Sequence, residues 1–276
     1  MKKVAVICVD YQTPEYTYKL VDSINTQFEI DKFSVSIELI IINNSINLND
    51  ANNFKFLKDF KFTTLMSPGT NLGYFHGLNY ALDNMNPSKF DFIVIGNNDL
   101  IYKNDFIKTL LTTIYPSDCM VICPDVLTID NKHQNPHHLD KLSKFRLFLF
   151  DLYFFNYYVA IFLTHLNKLI RRIKEPPKFI KKSRLYEIHQ GVGACYVLTP
   201  LFFKNNSRLF FPGFLYGEEA CLSYQVHSSG GRLYFDDNLL VEHAESASLS
   251  KLPKKINYQY GKSSYWKFRH IFKYYD

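Results

Sequence analysis

Three clusters of polar side chains lie where strands predicted from the sequence end or where a predicted helix begins. The first ends the apolar run FDFIVIGNNDL, residues 90–100, on Asn97, Asn98 and Asp99. Asp99 offers a hard carboxylate oxygen, the kind of ligand that Mg²⁺ or Mn²⁺ prefers. Parallel sheets present ligands at the carboxyl ends of their strands, so a metal or phosphate contact is one interpretation. A cap or turn residue is the plainer one.

The second cluster follows the apolar run SIELIIINNS and contains Asn43 and Asn44. Asn71 and Gly73 come next in the chain, just ahead of a helix predicted from about Tyr74. Asparagine amides at a strand end are able to read a base or a ribose, although asparagines that only form turns give the same pattern.

The third cluster combines an acidic helix start with a histidine at the end of a strand. Glu218 and Glu219 open the predicted helix, where the macrodipole alone would favour acidic groups. The same position suits a carboxylate that acts as a general base. His243 ends the run RLYFDDNLLVEH, as a structural residue or as an imidazole ligand to a metal.

The elements that must position these clusters alternate between strands and helices up to about residue 133. Runs such as KVAVICVD are continuous and β-branched, which is typical of buried parallel strands. The sequence therefore predicts an α/β fold with a mixed, mostly parallel sheet flanked by helices. No GxGxxG, HExxH or GxSxG motif is present, and no GK[ST] follows the glycine-containing turn GTNLGYFHG.

Composition and charge indicate the cellular compartment and a possible contact surface. The 276 residues are 47% hydrophobic, and the five cysteines are scattered, which favours a reducing, cytoplasmic setting without a disulfide frame. The N-terminal apolar run is too short for a signal peptide. The net charge of +6 divides into +9 for residues 141–184, +6 for residues 251–276 and −9 for the rest. Two basic segments on an acidic body indicate contact with an anionic surface or, equally, a solvated basic face.

The basic segments are also aromatic. RLFLFDLYFFNYYVAIFLTHLNKLIRRIK, residues 146–174, predicts helices that pack on the body or lie in a bilayer surface, since Asp151 and Asn156 interrupt it. The aromatic side chains either enter the interface or fill the core between helices and sheet; they are Phe148, Phe150, Tyr153, Phe154, Phe155, Tyr157 and Tyr158. The predicted division is an α/β half (1–133), a helical basic and aromatic insertion (134–187), a second half of the same domain (188–250) and a basic amphipathic C-terminal helix (251–276).

Seven pieces of the chain, taken in order, resemble the family 2 glycosyltransferases of GT-A fold. They are CVDYQTPEY, LIIINNS, NLGYFHGLNYAL, VIGNNDL, GVGACYVLTP, FLYGEEACLSYQVHSSGG and VEHAESAS. The similarity is greatest to bacterial enzymes that build O-antigen and capsular polysaccharides, including rhamnosyl- and galactosyltransferase-like members. It covers about residues 3–130 and 188–250.

The resemblance implies that 1–133 is the nucleotide-sugar-binding half, 134–187 an acceptor or membrane module and 188–250 the acceptor and catalytic half of the same domain. It also implies a role for each cluster. The family's DxD metal motif falls on residues 97–99 and keeps only Asp99, and the family's late histidine falls on His243, so Mn²⁺ or Mg²⁺ is the implied cofactor. The ED-x-D motif makes Glu219 the implied base, with Glu218 as the neighbouring alternative and Cys221 in place of a second acid. The implied donor-binding residues are Val9, Tyr11, Asn43, Asn44, Asn71, Gly73, Asn79, Asn97 and Asn98.

The implied activity is inverting transfer of a hexosyl or deoxyhexosyl group from a nucleotide-diphosphate sugar to a glycan on a lipid carrier. The expected location is cytoplasmic and peripheral, on the anionic inner face of the cell membrane, with no nucleic-acid partner. Two alternatives remain open. One is a nucleotidyltransferase that makes the sugar donor, although VDYQTPEYTYK lacks a Gly-rich phosphate loop. The other is a non-catalytic sugar- or membrane-binding protein with a decayed site.

Overall fold

A computed structural model describes residues 1–30, 35–46, 48–103, 105–173, 184–244 and 254–275. The strands within these ranges are β1 (Lys2–Asp10), β2 (Val35–Asn43), β3 (Thr63–Met66), β4 (Phe92–Asn97), β5 (Leu100–Tyr102), β6 (Cys119–Thr128), β7 (Leu185–Ile188), β8 (Cys195–Leu198) and β9 (Arg232–His243). The α-helices are α1 (Pro14–Ile30), α2 (Tyr74–Asp83), α3 (Phe106–Thr112), α4 (Lys144–Phe155), α5 (Tyr157–Ile173), α6 (Pro200–Asn205), α7 (Glu218–Ser228) and α8 (Lys254–Phe268). Three 3₁₀ segments cover Leu48–Asp59, Pro87–Lys89 and Arg269–Tyr275.

All the strands of the described chain join one sheet in the order β3-β2-β1-β4-β8-β6-β9-β5, with β7 also paired to β9. The pairings β3–β2, β2–β1, β1–β4 and β6–β9 are parallel and include the longest ladders, whereas β8 lies antiparallel between β4 and β6. The predicted mixed, mostly parallel sheet is confirmed. RLYFDDNLLVEH forms the single strand β9, whose register against β6 shifts between Pro124 and Asp125.

Helices cover both faces of the sheet because its strands carry apolar side chains on both sides. Every residue from Val4 to Cys8 is buried completely. On one face, α1 and α3 bury Leu20, Ile24 and Phe106; on the other, α2, α7 and α8 bury residues that include Phe75 and Phe268. The carboxyl ends of β1, β2 and β4 therefore meet at one edge of a rigid sheet.

The helices predicted in the aromatic insertion and in the basic tail are present as α4, α5 and α8. The described helices include none with the length and apolar content that a bilayer crossing requires. Lys174 and the other basic residues of 174–183, together with 245–253 and its Lys251, lie outside the described residues. The boundaries of the four-part division stay predictions, and β7 begins just inside the segment assigned to the insertion.

Candidate active site

A cavity of ≈ 380 Å³ opens at the edge where β1 and β4 end, and eleven of the residues predicted from the sequence line it. The strand-end and turn residues are Val9, Tyr11, Asn44, Asn71, Gly73, Asn97, Asn98 and Asp99; the others are Glu218, Glu219 and His243. Side chains separated by more than 200 residues thus meet in one place, as the strand-end argument requires.

Asn43 and Asn79 are the two predicted donor-binding residues that do not line this cavity. The Asn43 Oδ1 accepts a hydrogen bond from the Ser45 amide at 3.1 Å, so the side chain closes its own turn. Asn79 lies buried in α2, where it donates to the Leu209 carbonyl at 2.9 Å and accepts from the Leu209 amide at 2.8 Å. Both side chains are occupied by the fold.

Asp99 and His243 are brought together by the antiparallel pairing of β5 with β9. Leu100 lies opposite His243, and the Ala244 amide donates to the Asp99 carbonyl at 3.0 Å. The His243 Nε2 lies 3.2 Å from the Asp99 Oδ1, and both side chains are more than nine-tenths buried. The sequence resemblance proposed this pair, and the strand register gives its physical basis.

The hydrogen bonds around His243 assign its tautomer. Nδ1 lies 2.9 Å from the Gln134 Oε1, an acceptor, so Nδ1 carries the proton. Nε2 is then a bare acceptor, and the Asn97 amide donates to it at 3.2 Å. The Asp99 Oδ1 faces the same nitrogen without a hydrogen-bond partner. Two lone pairs held this close in a buried place repel one another unless a proton or a metal cation lies between them.

A divalent ion fits this pair by chemistry and by spacing. Carboxylate and imidazole suit Mn²⁺, and neighbouring ligands of an octahedral ion with bonds of about 2.1 Å lie about 3 Å apart. The described residues contain no group of three or more His, Cys, Asp or Glu side chains placed to hold a metal. The protein would therefore supply two ligands, and phosphate oxygens and water would complete the shell.

Asn98 is held by a buried network that the sequence reasoning missed. Its Nδ2 lies 2.8 Å from the Asp10 Oδ2 and 2.9 Å from both the Thr13 and the Thr17 hydroxyls. Burial raises the pKa of Asp10, while the hydroxyl of Thr17 and the amide of Thr13 oppose the rise. Asp10 ends β1 as Asp99 follows β4, so its position at a strand end was the available signal. The network fixes the residue that precedes Asp99.

A strained turn aims the two glutamates into the cavity. Tyr216 has φ 70° and Gly217 has φ 100°, both left-handed, and α7 begins at the next residue. A Cβ on Gly217 would lie 2.3 Å from the Phe268 ring. Glu219 is partly exposed and contacts Gly193, where an added Cβ would meet the Glu219 Oε1 at 2.7 Å. The turn therefore tolerates no side chain at 217, and one at 193 would displace the Glu219 carboxylate.

Glu218 and Glu219 differ in burial. Glu218 is 5% exposed, and burial followed by the charge of Glu219 raises its pKa to about 8. Because burial disfavours the charged form of Glu218, this side chain is protonated at neutral pH. Cys221, which takes the place of a family acid, lies buried in the core away from the cavity, and burial raises the pKa of its thiol.

Asn44 and Asn71 shape the turn that leads into α2. The Asn44 Nδ2 donates to the Gly73 carbonyl at 2.9 Å, and the Gly73 amide donates to the Asn71 Oδ1 at 2.9 Å. Gly73 has φ 83°, and a Cβ there would lie 2.3 Å from the Phe214 carbonyl. The glycine is required because two loops of the cavity meet at this point.

An aromatic wall completes the cavity. Phe214 and Tyr260 pack with ring centroids 5.3 Å apart, Tyr216 lies beside them, and Tyr74 donates through its hydroxyl to the Gly193 carbonyl at 2.9 Å. Tyr260 comes from α8, far along the chain. Nothing in the sequence marked these aromatic residues as site residues, because aromatic side chains on helices are usually core.

The cavity is acidic. Asp99, Glu218 and Glu219 line it, and the described part of the lining contains no lysine or arginine. Asp99 and His243 also border a second cavity of ≈ 260 Å³, which Lys19 lines. An anionic ligand that enters the larger cavity would meet carboxylates, so it requires a cation of its own.

Comparison with solved structures identifies a known fold. S. aureus TarS residues 1–349 in complex with UDP-GlcNAc superposes with TM-score 0.58 at 13% identity, over 92% of this chain and 62% of that one. The mannosyltransferase PcManGT from Pyrobaculum calidifontis, in complex with GDP-Man and Mn²⁺, gives TM-score 0.55 at 12% identity over 89% and 58%. GalNAc-T7 with UDP, GalNAc and Mn²⁺ gives TM-score 0.54 at 12% identity over 90% and 44%.

These likenesses show the fold. The chain has the mixed sheet and flanking helices of the GT-A glycosyltransferases, as the sequence predicted. It spans less than two thirds of the length of each of the three neighbours. No protein-family model and no curated protein sequence matches it.

Proposed function

We propose that this protein is an inverting glycosyltransferase that moves a sugar from a nucleotide-diphosphate sugar to a glycan acceptor. One observation carries the proposal: a single cavity at the strand ends of a GT-A-type sheet holds both the Asp99–His243 pair and the Glu219 carboxylate. The neighbours of that fold were solved with UDP-GlcNAc and with GDP-Man. A cation site beside a general base is the equipment that sugar transfer from a diphosphate requires.

Asp99 and His243 would hold the divalent ion, Mn²⁺ or Mg²⁺. When bound, the ion supplies charge stabilisation for the departing diphosphate. Without it, each negative charge placed about 5 Å from a carboxylate would cost about 3 kcal/mol at an effective dielectric constant of about 20. The acidic lining and the orphaned Asp99 Oδ1 therefore support a metal requirement on physical grounds.

Glu219 takes the proton of the acceptor hydroxyl. The acceptor oxygen then forms its bond to the anomeric carbon while the bond from that carbon to the diphosphate oxygen breaks, and the diphosphate leaves with the bonding electrons. Glu219 suits this task because it reaches the cavity and is partly exposed, whereas the raised pKa of Glu218 keeps that neighbour protonated at neutral pH. Glu218 remains the alternative base.

The placement of the acids supports an inverting mechanism. Double displacement needs an ionised nucleophile on the face of the sugar opposite the acceptor. Of the carboxylates in the described lining, Asp99 faces the metal position, Glu218 carries a proton, and Glu219 serves the acceptor. Direct displacement requires no carboxylate beyond these three.

Donor contacts fall to the strand-end residues of the cavity. Val9 lies near the end of β1, Tyr11 follows that strand, and the turn that contains Asn71 and Gly73 leads into α2. The side of the cavity formed by these residues and Asn44 would hold the nucleotide. The aromatic wall of Phe214, Tyr216 and Tyr260 would face the acceptor sugar. The ring faces offer an apolar surface, and the tyrosine hydroxyls offer polar groups to the sugar.

The proposal extends to the biological setting by resemblance. A hexosyl or deoxyhexosyl transfer in the synthesis of O-antigen or capsular polysaccharide, on a lipid-linked acceptor at the inner face of the cell membrane, agrees with the ordered motifs and with the two basic segments.

The test is donor turnover with metal control. The purified protein is incubated with UDP-, GDP- and dTDP-sugars, with Mn²⁺ or with EDTA, and nucleotide diphosphate release is measured, with Asp99→Ala and Glu219→Gln as paired variants. We expect Mn²⁺-dependent release of a nucleoside diphosphate that both variants lose. Pyrophosphate exchange with a sugar phosphate would instead establish the nucleotidyltransferase alternative. Donor binding without turnover under any condition would establish the non-catalytic one.

A further inference from the structure

The helices α4 and α5 carry an apolar surface that nothing in the described chain covers. On α4, Phe145, Phe148 and Phe155 point outward and are at least 59% exposed. On α5, Tyr158, Phe162, Leu166 and Leu169 are 41–75% exposed and recur at helical spacing. We call these seven side chains the aromatic face. So large a group of exposed apolar side chains marks an interaction surface.

The opposite side of α4 is fastened to α8, which fixes the direction of the aromatic face. Arg269 holds Asp151 through two hydrogen bonds of 2.6 and 2.8 Å, and the Tyr265 hydroxyl donates to the same carboxylate at 2.6 Å. The Phe154 ring stacks on Tyr265 with centroids 4.5 Å apart. The inward aromatic side chains are thus core, and the outward ones remain exposed.

The three helices that carry and hold the aromatic face are basic in sequence. The sequences of α4, α5 and α8 contain nine lysines and arginines and a single acidic residue, Asp151, which Arg269 neutralises. Lys255 and Lys267 are exposed on α8, and Arg146 is exposed on α4.

We propose that the aromatic face lies in the interfacial region of an anionic lipid bilayer, with the basic side chains at the level of the headgroups. Amphipathic helices with aromatic apolar faces and basic polar faces bind membranes in this way. A second copy of the chain is a poorer occupant, because pairing the two faces would also bring together two clusters of positive charge. An anionic bilayer buries the apolar face and neutralises the charge.

The position of the face gives the binding a purpose, which rests on the function proposed above. A Cβ on Gly261 of α8 would lie 3.3 Å from the Phe154 ring and 3.8 Å from the Tyr216 ring, so α4 and the cavity wall meet across this glycine. Tyr260, one residue earlier, lines the cavity. Embedding the aromatic face would therefore bring the acceptor wall close to the headgroups, where the sugar of a lipid-linked acceptor is displayed.

Trp266 is the only tryptophan in the chain, and it reports on this surface. It is half-exposed on α8, and its indole donates to the Phe154 carbonyl at 3.3 Å, near the end of α4. The experiment follows Trp266 fluorescence during titration with vesicles of phosphatidylcholine alone or mixed with phosphatidylglycerol, at low and high salt. Brominated phosphatidylcholine serves as a depth quencher.

We expect a blue shift and quenching by brominated lipid on the mixed vesicles, weakened by high salt. Phe148→Ser with Phe162→Ser should weaken binding by about tenfold or more, and Lys255→Glu with Lys267→Glu by a similar factor. Ile114→Ser is the matched control, because Ile114 is 91% exposed but lies after α3, and it should bind as the parent does. Thermal unfolding verifies that each variant is folded.

Absence of a fluorescence change on every vesicle would overturn the proposal, as would equal binding by the parent and the Phe148/Phe162 variant. A concentration-dependent dimer that this variant abolishes, without vesicle binding, would assign the face to a second copy instead. Asp99→Ala should bind vesicles normally. Vesicle binding without sugar transfer would thus refute the enzymatic function alone, and metal-dependent transfer to a soluble acceptor without vesicle binding would refute the membrane proposal alone.

Discussion

Replacing Asp99 by asparagine should stabilise the metal-free protein while it abolishes the response to metal. The Asp99 Oδ1 is buried, lacks a hydrogen-bond partner and faces the Nε2 of His243 at 3.2 Å. An asparagine of the same shape removes the charge and places an N–H donor where the lone pairs now oppose each other. Sites that bind ions commonly hold such unfavourable contacts until the ion arrives.

The magnitude follows from the cost of a buried polar atom left without a partner, about 1–3 kcal/mol. For a chain of this length each kcal/mol changes the melting temperature by about 2–4 °C, so Asp99→Asn should melt roughly 2–12 °C above the parent in EDTA. Asp99→Ala loses the repulsion too, but it gains no donor and should melt below Asp99→Asn.

The assay is thermal unfolding followed by circular dichroism, first in EDTA and then with Mn²⁺ and a nucleoside diphosphate. The parent should gain stability from the second condition, because a ligand that binds only the folded state stabilises it. Asp99→Asn should gain little or nothing. Asp22→Asn is the control, since Asp22 is exposed on α1 and should leave both values unchanged. An Asp99→Asn protein that melts below the parent in EDTA, or that still responds fully to Mn²⁺, would refute the reasoning.

Three further predictions concern the acids and the aromatic wall. Glu219→Gln should leave donor binding intact and lower turnover by about 10²-fold or more, the usual scale for loss of a general base; an active Glu219→Gln beside an inactive Glu218→Gln would move the base to Glu218. The pKa of Glu218 is raised to about 8, so the folded state keeps a proton that the unfolded chain releases above pH 4.5, and this contribution to stability is lost as pH rises from 4.5 to 8. Glu218→Gln cannot ionise, so its melting temperature relative to the parent should increase between pH 5 and pH 8.5; a difference independent of pH would contradict the assignment. Tyr260→Ala should raise the KM for acceptor with the KM for donor unchanged, as measured by initial rates; Tyr258→Ala, on the same helix but outside the cavity lining, is the control.

The sheet and the strand-end part of the site were predictable because each depends on local sequence. Continuous β-branched runs specify buried strands, and polar residues that follow them must lie at the sheet edge. Asn97, Asn98 and Asp99 reached the cavity for this reason. The same logic extends to Asp10, which also ends a strand and accepts a hydrogen bond from Asn98.

Asn43 and Asn79 show the limit of that reasoning. An asparagine that closes a turn and one that contacts a ligand have the same local sequence, so only the three-dimensional partners separate them. Ser45 and Leu209 are those partners here. The aromatic insertion was equally ambiguous, because helical spacing alone does not say which face meets the body. In the structure Phe150 and Phe154 pack against the core, so the core interpretation holds for these two, while Phe148 and Phe155 are exposed and their entry into an interface stays a prediction.

The helix α8 lies outside residues 3–130 and 188–250, whose motifs resemble those of glycosyltransferases, and it contributes to both proposed surfaces. Its Tyr260 lines the cavity, and its Tyr265 and Arg269, in the 3₁₀ turn that follows, hold α4 and so the aromatic face. Transfer from any nucleotide sugar presents the same problem on the donor side, a diphosphate whose charge must be stabilised, so that side can retain common strand-end chemistry. The acceptor differs from one enzyme to the next, so its recognition must come from elements outside the shared sheet. The helix α8 contacts both the aromatic wall of the cavity and the helix α4 of the aromatic face. We therefore expect the acceptor specificity of this protein to depend on α8.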